Sequence, residues 1–128
     1  MAKIINEIYF MTPNRPGVLA QVTKELGRAK IKILNMHSCG VGRRGEVFLT
    51  TNNDLRAKQI IRHLGYRPKS SQFIDLVVKA KAGKLSPILN RLAKNKINVT
   101  ECLFTNPGAN KVEVLLCTNR NRKAARIL

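Results

Sequence analysis

The sequence predicts an α+β fold: two tandem ferredoxin-like βαββαβ units, the second lacking an evident fourth strand. Three observations carry this. The chain repeats itself, each repeat has the same order of strand-like and helix-like segments, and those segments alternate as a split βαβ arrangement requires. Displacing the sequence by 66 residues sets Gly17 on Gly83, Leu19 on Leu85, Leu26 on Leu92, Lys30 on Lys96 and Ile31 on Ile97. Beyond the middle the displacement becomes 67, which implies one extra residue in a loop. Glu46-Val47 then falls on Glu113-Val114, Leu49 on Leu116, Thr51-Asn52 on Thr118-Asn119, Ala57 on Ala124 and Ile60 on Ile127. The expected domains are 1–69 and 70–128, joined through Tyr66 to Ser71, where Pro68 and two serines suit a connection.

In the first repeat, Ile4 to Met11 is apolar except for Asn6 and Glu7 and reads as a strand. Pro13-Asn14-Arg15-Pro16-Gly17 is a loop by composition. Val18, Leu19, Val22 and Leu26 recur at helical spacing, with Pro16 suited to the first turn and Gly27 to the exit. Ile31 to Cys39 is a second strand, Gly40 to Gly45 a turn-rich connection, and Glu46 to Thr50 a third strand. Asn52 or Asn53 can cap a helix carrying Leu55, Ile60, Ile61 and Leu64, closed by Gly65, with a short fourth strand near Arg67. The second repeat has strands at Phe73 to Lys79, Ile97 to Thr105 and Val112 to Thr118. Its first helix carries Leu85, Ile88, Leu89 and Leu92, Pro107 to Asn110 form a turn, and a last helix begins after Asn119. No fourth strand follows, so this repeat either does without one or takes one from elsewhere.

Each repeat is about 60 residues, a marginal size for a core, so the repeats should pack on each other. Ile8-Tyr9-Phe10-Met11, Leu76-Val77-Val78 and Val114-Leu115-Leu116 are apolar on both faces. Helices cover only one face of such a sheet, which predicts an oligomer, a homodimer built by sheet packing.

Composition narrows the chemistry. Lys and Arg number 24 against 7 Asp and Glu, a formal net charge of +17, which favours anionic partners. Seven carboxylates leave little material for a carboxylate-rich hydrolase or an acidic metal cage. Three cysteines with no CxxC spacing exclude a disulfide scaffold and a zinc site of the usual kind, and the odd count fits a reducing cytosol. The start of the chain has no apolar signal-type stretch, and no run of about 18 apolar residues spans a membrane. His37 and Cys39 share one side of a strand, but two ligands do not make a metal site, and His63 has no indicated partner. Cys102 and Cys117 take the repeat positions of Met36 and Thr50 and read as core fillers. No nucleophile triad, P-loop or dinucleotide fingerprint is present, so a non-enzymatic protein without cofactor or metal is expected.

A strand, then Asn14-Arg15-Pro16-Gly17-Val18-Leu19, a helix, and Lys30-Ile31-Lys32-Ile33 opening the next strand resembles the ACT domain. The loop string is similar to that of the serine-sensing ACT domain of bacterial phosphoglycerate dehydrogenases. The resemblance covers both repeats and implies a cytoplasmic regulatory protein that binds a small amino acid between domains and signals through their packing. The loop chemistry is consistent on its own terms. Gly17 allows close backbone approach, free N–H groups at the helix start can take a carboxylate, and Asn14 offers donor and acceptor. The plainer alternative is that Pro16-Gly17 is only a tight strand-to-helix turn. By the resemblance, Thr12 stands where ligand-binding members carry His, and Lys32 departs from a second-strand Asn that Asn98 retains in the second repeat. Ala80 replaces the loop Asn there. The implied ligand site is Thr12, Asn14, Gly17, Val18, Leu19 and Asn98.

Charge supports a rival: a basic module that binds RNA on the same topology. Ile8-Tyr9-Phe10 and Arg44 to Phe48 partly resemble the aromatic strands of RNA-recognition motifs, although Glu46 replaces a stacking ring. Basic residues crowd at Arg28-Lys30-Lys32, Lys79-Lys81-Lys84 and Arg120-Arg122-Lys123-Arg126, which suits RNA or an acidic protein; the alternative is a solvated basic surface.

Overall fold

A computed structural model describes residues 2–128, at residue 107 the backbone alone. The elements run β1 (Lys3–Pro13), α1 (Val18–Arg28), β2 (Ile33–Val41), β3 (Arg44–Thr51), α2 (Asp54–His63), β4 (Lys69–Lys79), α3 (Leu85–Lys94), β5 (Val99–Gly108), β6 (Lys111–Thr118) and α4 (Asn121–Ile127). The fold is α+β, with ferredoxin-like units in tandem. Two compact units divide the chain: Asn6–Ser71, and Gln72–Leu128 together with the N-terminal residues through Ile5.

In the first unit β3 lies between β1 and β2, antiparallel to both. Alternation along the strands decides the core. Ile8 and Phe10 of β1 and Val47 and Leu49 of β3 point to one face, where Val22 and Leu26 of α1 and Ala57 and Ile61 of α2 close over them. The other face carries Tyr9, Phe48 and His37 side by side across β1, β3 and β2. Their rings stack at centroid distances of 4.7 Å and 5.2 Å. Phe48 is thereby 8% exposed, so its faces are taken by its neighbours and are not open to a nucleobase.

The second unit repeats the plan with β6 between β4 and β5. Ile74, Leu76, Val114 and Leu116 meet Leu92 of α3 and Ala124 of α4, and Ala2 packs against this core. Lys3–Ile5 thus supplies strand residues to the second unit, answering where its missing fourth strand comes from. Lys69–Ser71, expected as part of a loose join, is strand and belongs to the first unit. Pro68 precedes the strand, where its missing N–H costs no ladder bond.

Other boundaries move for local reasons. Gly40, Gly45 and their neighbours, expected as a long turn, are paired strand, and the turn shrinks to Gly42-Arg43 with Gly42 at φ 60°. β5 likewise runs on to Gly108. Its turn is Ala109-Asn110, at φ 56° and 59°, the double positive φ of a type I′ hairpin.

One polar network is built twice. Asn52 Oδ1 accepts from the Lys32 backbone N–H at 3.0 Å, and Asn119 Oδ1 from that of Asn98 at 3.1 Å. Asp54 Oδ1 accepts from Thr51 N–H and hydroxyl at 2.9 and 2.7 Å, and Asn121 Oδ1 from those of Thr118, both at 2.8 Å. Lys30 and Lys96, in the matching helix-to-strand turns, both adopt left-handed backbone, φ 58° and 56°. Of the two caps expected for α2, Asn53 serves, accepting from Arg56 N–H at 3.1 Å.

Asn121→Ala removes these contacts and a donation to the Gln72 carbonyl at 3.0 Å. It should cost about 1–2 kcal/mol of stability in urea unfolding. Asn90→Ala, which loses only a 3.4 Å contact to Ser86, should stay within about 0.5 kcal/mol of the parent. On the helix-free face of the second unit, a hydrogen bond with the Asp75 carboxyl, then burial, then charge repulsion push Glu113 above the usual glutamate range. Its stabilising protonated form is complete below about pH 4.5 and lost as pH rises through the raised value. Glu113→Gln should therefore stabilise the protein at neutral pH, and melting curves should show the advantage vanishing in acid.

Candidate functional site

The site is carved where β1 hands over to α1. Register places Thr12 opposite Gly45, and Gly45 opposite Gly40, so two neighbouring strands present no side chain beside the end of β1. A Cβ on Gly45 would lie 2.5 Å from the Thr12 hydroxyl, and one on Gly40 2.5 Å from Asn14 Oδ1. These two small side chains fill the place that larger strand residues would take. Beside them lies a cavity of about 280 Å³ in the first unit, just under the usual range for small-molecule sites.

Thr12, Asn14, Gly17, Val18 and Leu19 all line it, so five of the six expected residues come together. Asn98 lies in the second unit, in the turn before β5, with its backbone N–H on Asn119. Sequence reasoning missed Ser38, Gly40, Gly45 and Glu46, which also line the cavity. Their signal was the glycine pair, hidden because Gly40, Gly42 and Gly45 together look like turn.

Each lining group has a definite chemistry. Asn14 is anchored to the β2–β3 hairpin. Its backbone N–H donates to the Arg43 carbonyl at 3.0 Å, and its Nδ2 to the Gly42 carbonyl at 2.9 Å. One of its two amide hydrogens is thus engaged internally, leaving the second as a donor and Oδ1 as an acceptor. Thr12, 8% exposed, donates to the Pro13 carbonyl at 3.0 Å. Gly17 stands at φ 91°, a conformation that favours glycine, with open space where a Cβ would point. No side chain caps α1, and its first turn has no carboxylate. Gln21 makes the first intrahelical donation, to Gly17, so the N–H groups of Val18, Leu19 and Ala20 have no intrahelical partner and are suited to an anion. Arg15 adds a positive charge to the lining, whereas the Glu46 carboxylate turns to the opposite face of the sheet, where Oε1 accepts from the Tyr9 hydroxyl at 3.1 Å.

The second unit keeps the backbone frame and loses the site chemistry. Ala80 N–H reaches the Asn110 carbonyl at 2.9 Å, as Asn14 reaches Arg43, and Gly83 repeats the left-handed conformation of Gly17 at φ 82°. Yet Val78 and Val112 face each other where the first unit pairs Thr12 with Gly45. Val112 is 2% exposed, so an isopropyl group replaces the carved space.

Among the described residues no group of three or more His, Cys, Asp or Glu could hold a metal ion. Burial pushes the Cys102 thiol up, which disfavours the thiolate and any nucleophilic use. Among the described residues no helix is long and apolar enough to cross a membrane.

Residues 7–65 match the family model of the ACT domain. A crystal structure of a protein from Bacteroides thetaiotaomicron is similar with a TM-score of 0.86 and 14% identity, over 99% of this chain and 88% of that one. The ligand-free regulatory subunit of aspartate kinase from Thermus thermophilus is similar with a TM-score of 0.64 and 12% identity, over 98% and 93% of the two chains. A structure of aspartokinase alpha and beta subunits is similar with a TM-score of 0.64 and 17% identity, over 98% and 93%. These likenesses are of fold. No curated protein matches the chain.

Gly40→Ala should displace the Asn14 side chain and break its bond to Gly42. The expected cost is about 1 kcal/mol in stability, with a marked shift of the Asn14 side-chain NH₂ signals in the NMR spectrum.

Proposed function

Taking residues 7–65 as an ACT domain, we propose that this protein is a regulatory module that binds a small amino acid in the loop cavity of the first unit. The observation that carries the reading is the carved cavity beside an uncapped helix start, with donors and an acceptor facing one small volume. A free amino acid is a zwitterion and needs both. Its carboxylate meets the N–H groups of Val18 and Leu19, supported by Arg15, and its ammonium meets Asn14 Oδ1. Gly17 admits the ligand to the backbone, and Thr12 limits the depth available to its side chain. Small amino acids fit a space of about 280 Å³ edged by Thr12 and the two glycines better than aromatic ones. The reading requires no catalytic group.

Asn98 enters the proposal through the family resemblance alone, as an added ligand contact. The reading also includes a homodimer through helix-free sheet faces, because Val77 and Leu103 remain 50% and 40% exposed on that face of the second unit. Binding would regulate by favouring one packing arrangement over another, as far as its differential affinity allows.

A thermal-shift screen of the twenty amino acids should single out one or a few small ones that raise the melting midpoint. Asn14→Ala should abolish that response, and Asn98→Ala should weaken it if that side chain reaches the ligand. A response unchanged in Asn14→Ala would overturn the placement. For the dimer, light scattering should report twice the chain mass, falling to a monomer in Leu103→Lys.

A further inference from the structure

Between α1 and α2 of the first unit runs a groove of about 420 Å³ that the amino-acid reading leaves unused. Its lining combines two kinds of surface. Ala29, Ile60 and Leu64 form a half-buried apolar floor, packed below against the first core. Arg28, Arg56 and His63 stand exposed around it. The carboxylate in the wall, Glu25, is bridged to Arg28 at 3.3 Å, so it does not neutralise the rest of the rim. Asp54, at the start of α2, is held by Thr51. A concave apolar strip under exposed cations, in a chain of net charge +17, is complementary to an acidic segment with apolar side chains.

We propose that the α1–α2 groove of the first unit is a docking site for an acidic amphipathic peptide segment of a partner protein. An apolar side chain of the segment would sit on Ala29, Ile60 and Leu64, its carboxylates would face Arg28 and Arg56, and the His63 imidazole would offer a polar edge beside them. Charge complementarity selects this occupant over two others. A second copy packed symmetrically here would set Arg28 and Arg56 against their own equivalents, in a pair of chains each at +17. A nucleic-acid backbone would satisfy the cations but give the apolar floor nothing to bury. The inference is independent of the amino-acid site, since the groove and the loop cavity share no lining residue.

Fluorescence polarisation with the full chain tests it, using a labelled helical peptide rich in Glu with Leu on one face, the same peptide with Leu replaced by Ser, and labelled oligouridylate. In about 0.15 M salt, where exposed charges are screened beyond about 8 Å, the Leu peptide should bind and the Ser peptide should bind about tenfold more weakly. Arg56→Glu should weaken the Leu peptide about tenfold, whereas Lys30→Glu, outside the groove, should leave it within about twofold. Melting curves check that both variants fold; if Arg56→Glu does not, His63→Glu takes its place. Equal binding of the two peptides, equal loss in the two charge variants, or binding of oligouridylate in preference to peptide would each overturn the proposal.

Discussion

Strand register is the constraint on which the candidate site depends. Thr12, Gly45 and Gly40 lie opposite one another across three strands, and the two glycines leave the room in which Thr12 and Asn14 stand at the edge of the cavity. A slip of one residue would exchange the faces and close it. The register is pinned near the far end of the same strands. Asn52 holds the backbone entering β2 through Oδ1, and its own N–H donates back to the Lys32 carbonyl at 3.1 Å. The irregularity between Ile33 and Asn35 sits immediately after this clamp. A polar clamp in a turn thus holds one end of the β2–β3 ladder whose other end sets Gly40 opposite Gly45.

The same clamp in the second unit, Asn119 on Asn98, shows that frame and chemistry are separable. Both units have equivalent hydrogen bonds, left-handed lysines and left-handed loop glycines. They differ where Val78 and Val112 replace Thr12 and Gly45, and where Ala80 replaces Asn14. Duplication accounts for the shared frame, and a few substitutions restrict the carved space to one unit. In the same way Tyr9 and Glu46, hydrogen-bonded at 3.1 Å, become the carboxyl pair Asp75 and Glu113, where proximity to the second carboxyl holds Glu113 above the usual glutamate range.

Much of the fold could be read from the sequence because its signals are local: apolar period, turn residues and caps. The two-unit plan followed from self-similarity alone. The assignment of Lys3–Ile5 to the second unit could not be read, because a strand contributed from the other end of the chain leaves no mark in its neighbours. The glycines misled for a related reason. Gly40 and Gly45 read as turn by composition, and only their pairing reveals that each clears room for a neighbouring side chain. Within the site, Asn14 and Gly17 were legible because loop residue types report conformation. That Asn14 commits one of its two amide hydrogens to Gly42 depends on a hairpin 28 residues away in the chain. The charge was equally visible, but composition did not place it. The structure argues against base stacking, since Phe48 is enclosed by Tyr9 and His37.

The central claim is that the two units share a frame while the loop cavity beside α1 is filled by Val112 at the matching position of the second unit. An amide NMR titration of the ¹⁵N-labelled chain with the amino acid that most raises the melting midpoint tests it most directly. The account predicts saturable shifts at Val18, Leu19, Ala20 and the Asn14 side chain, with the matching residues Lys84, Leu85 and Ser86 of the second unit unmoved. Shifts centred on Lys84 to Ser86, or equal shifts in both loops, would contradict it.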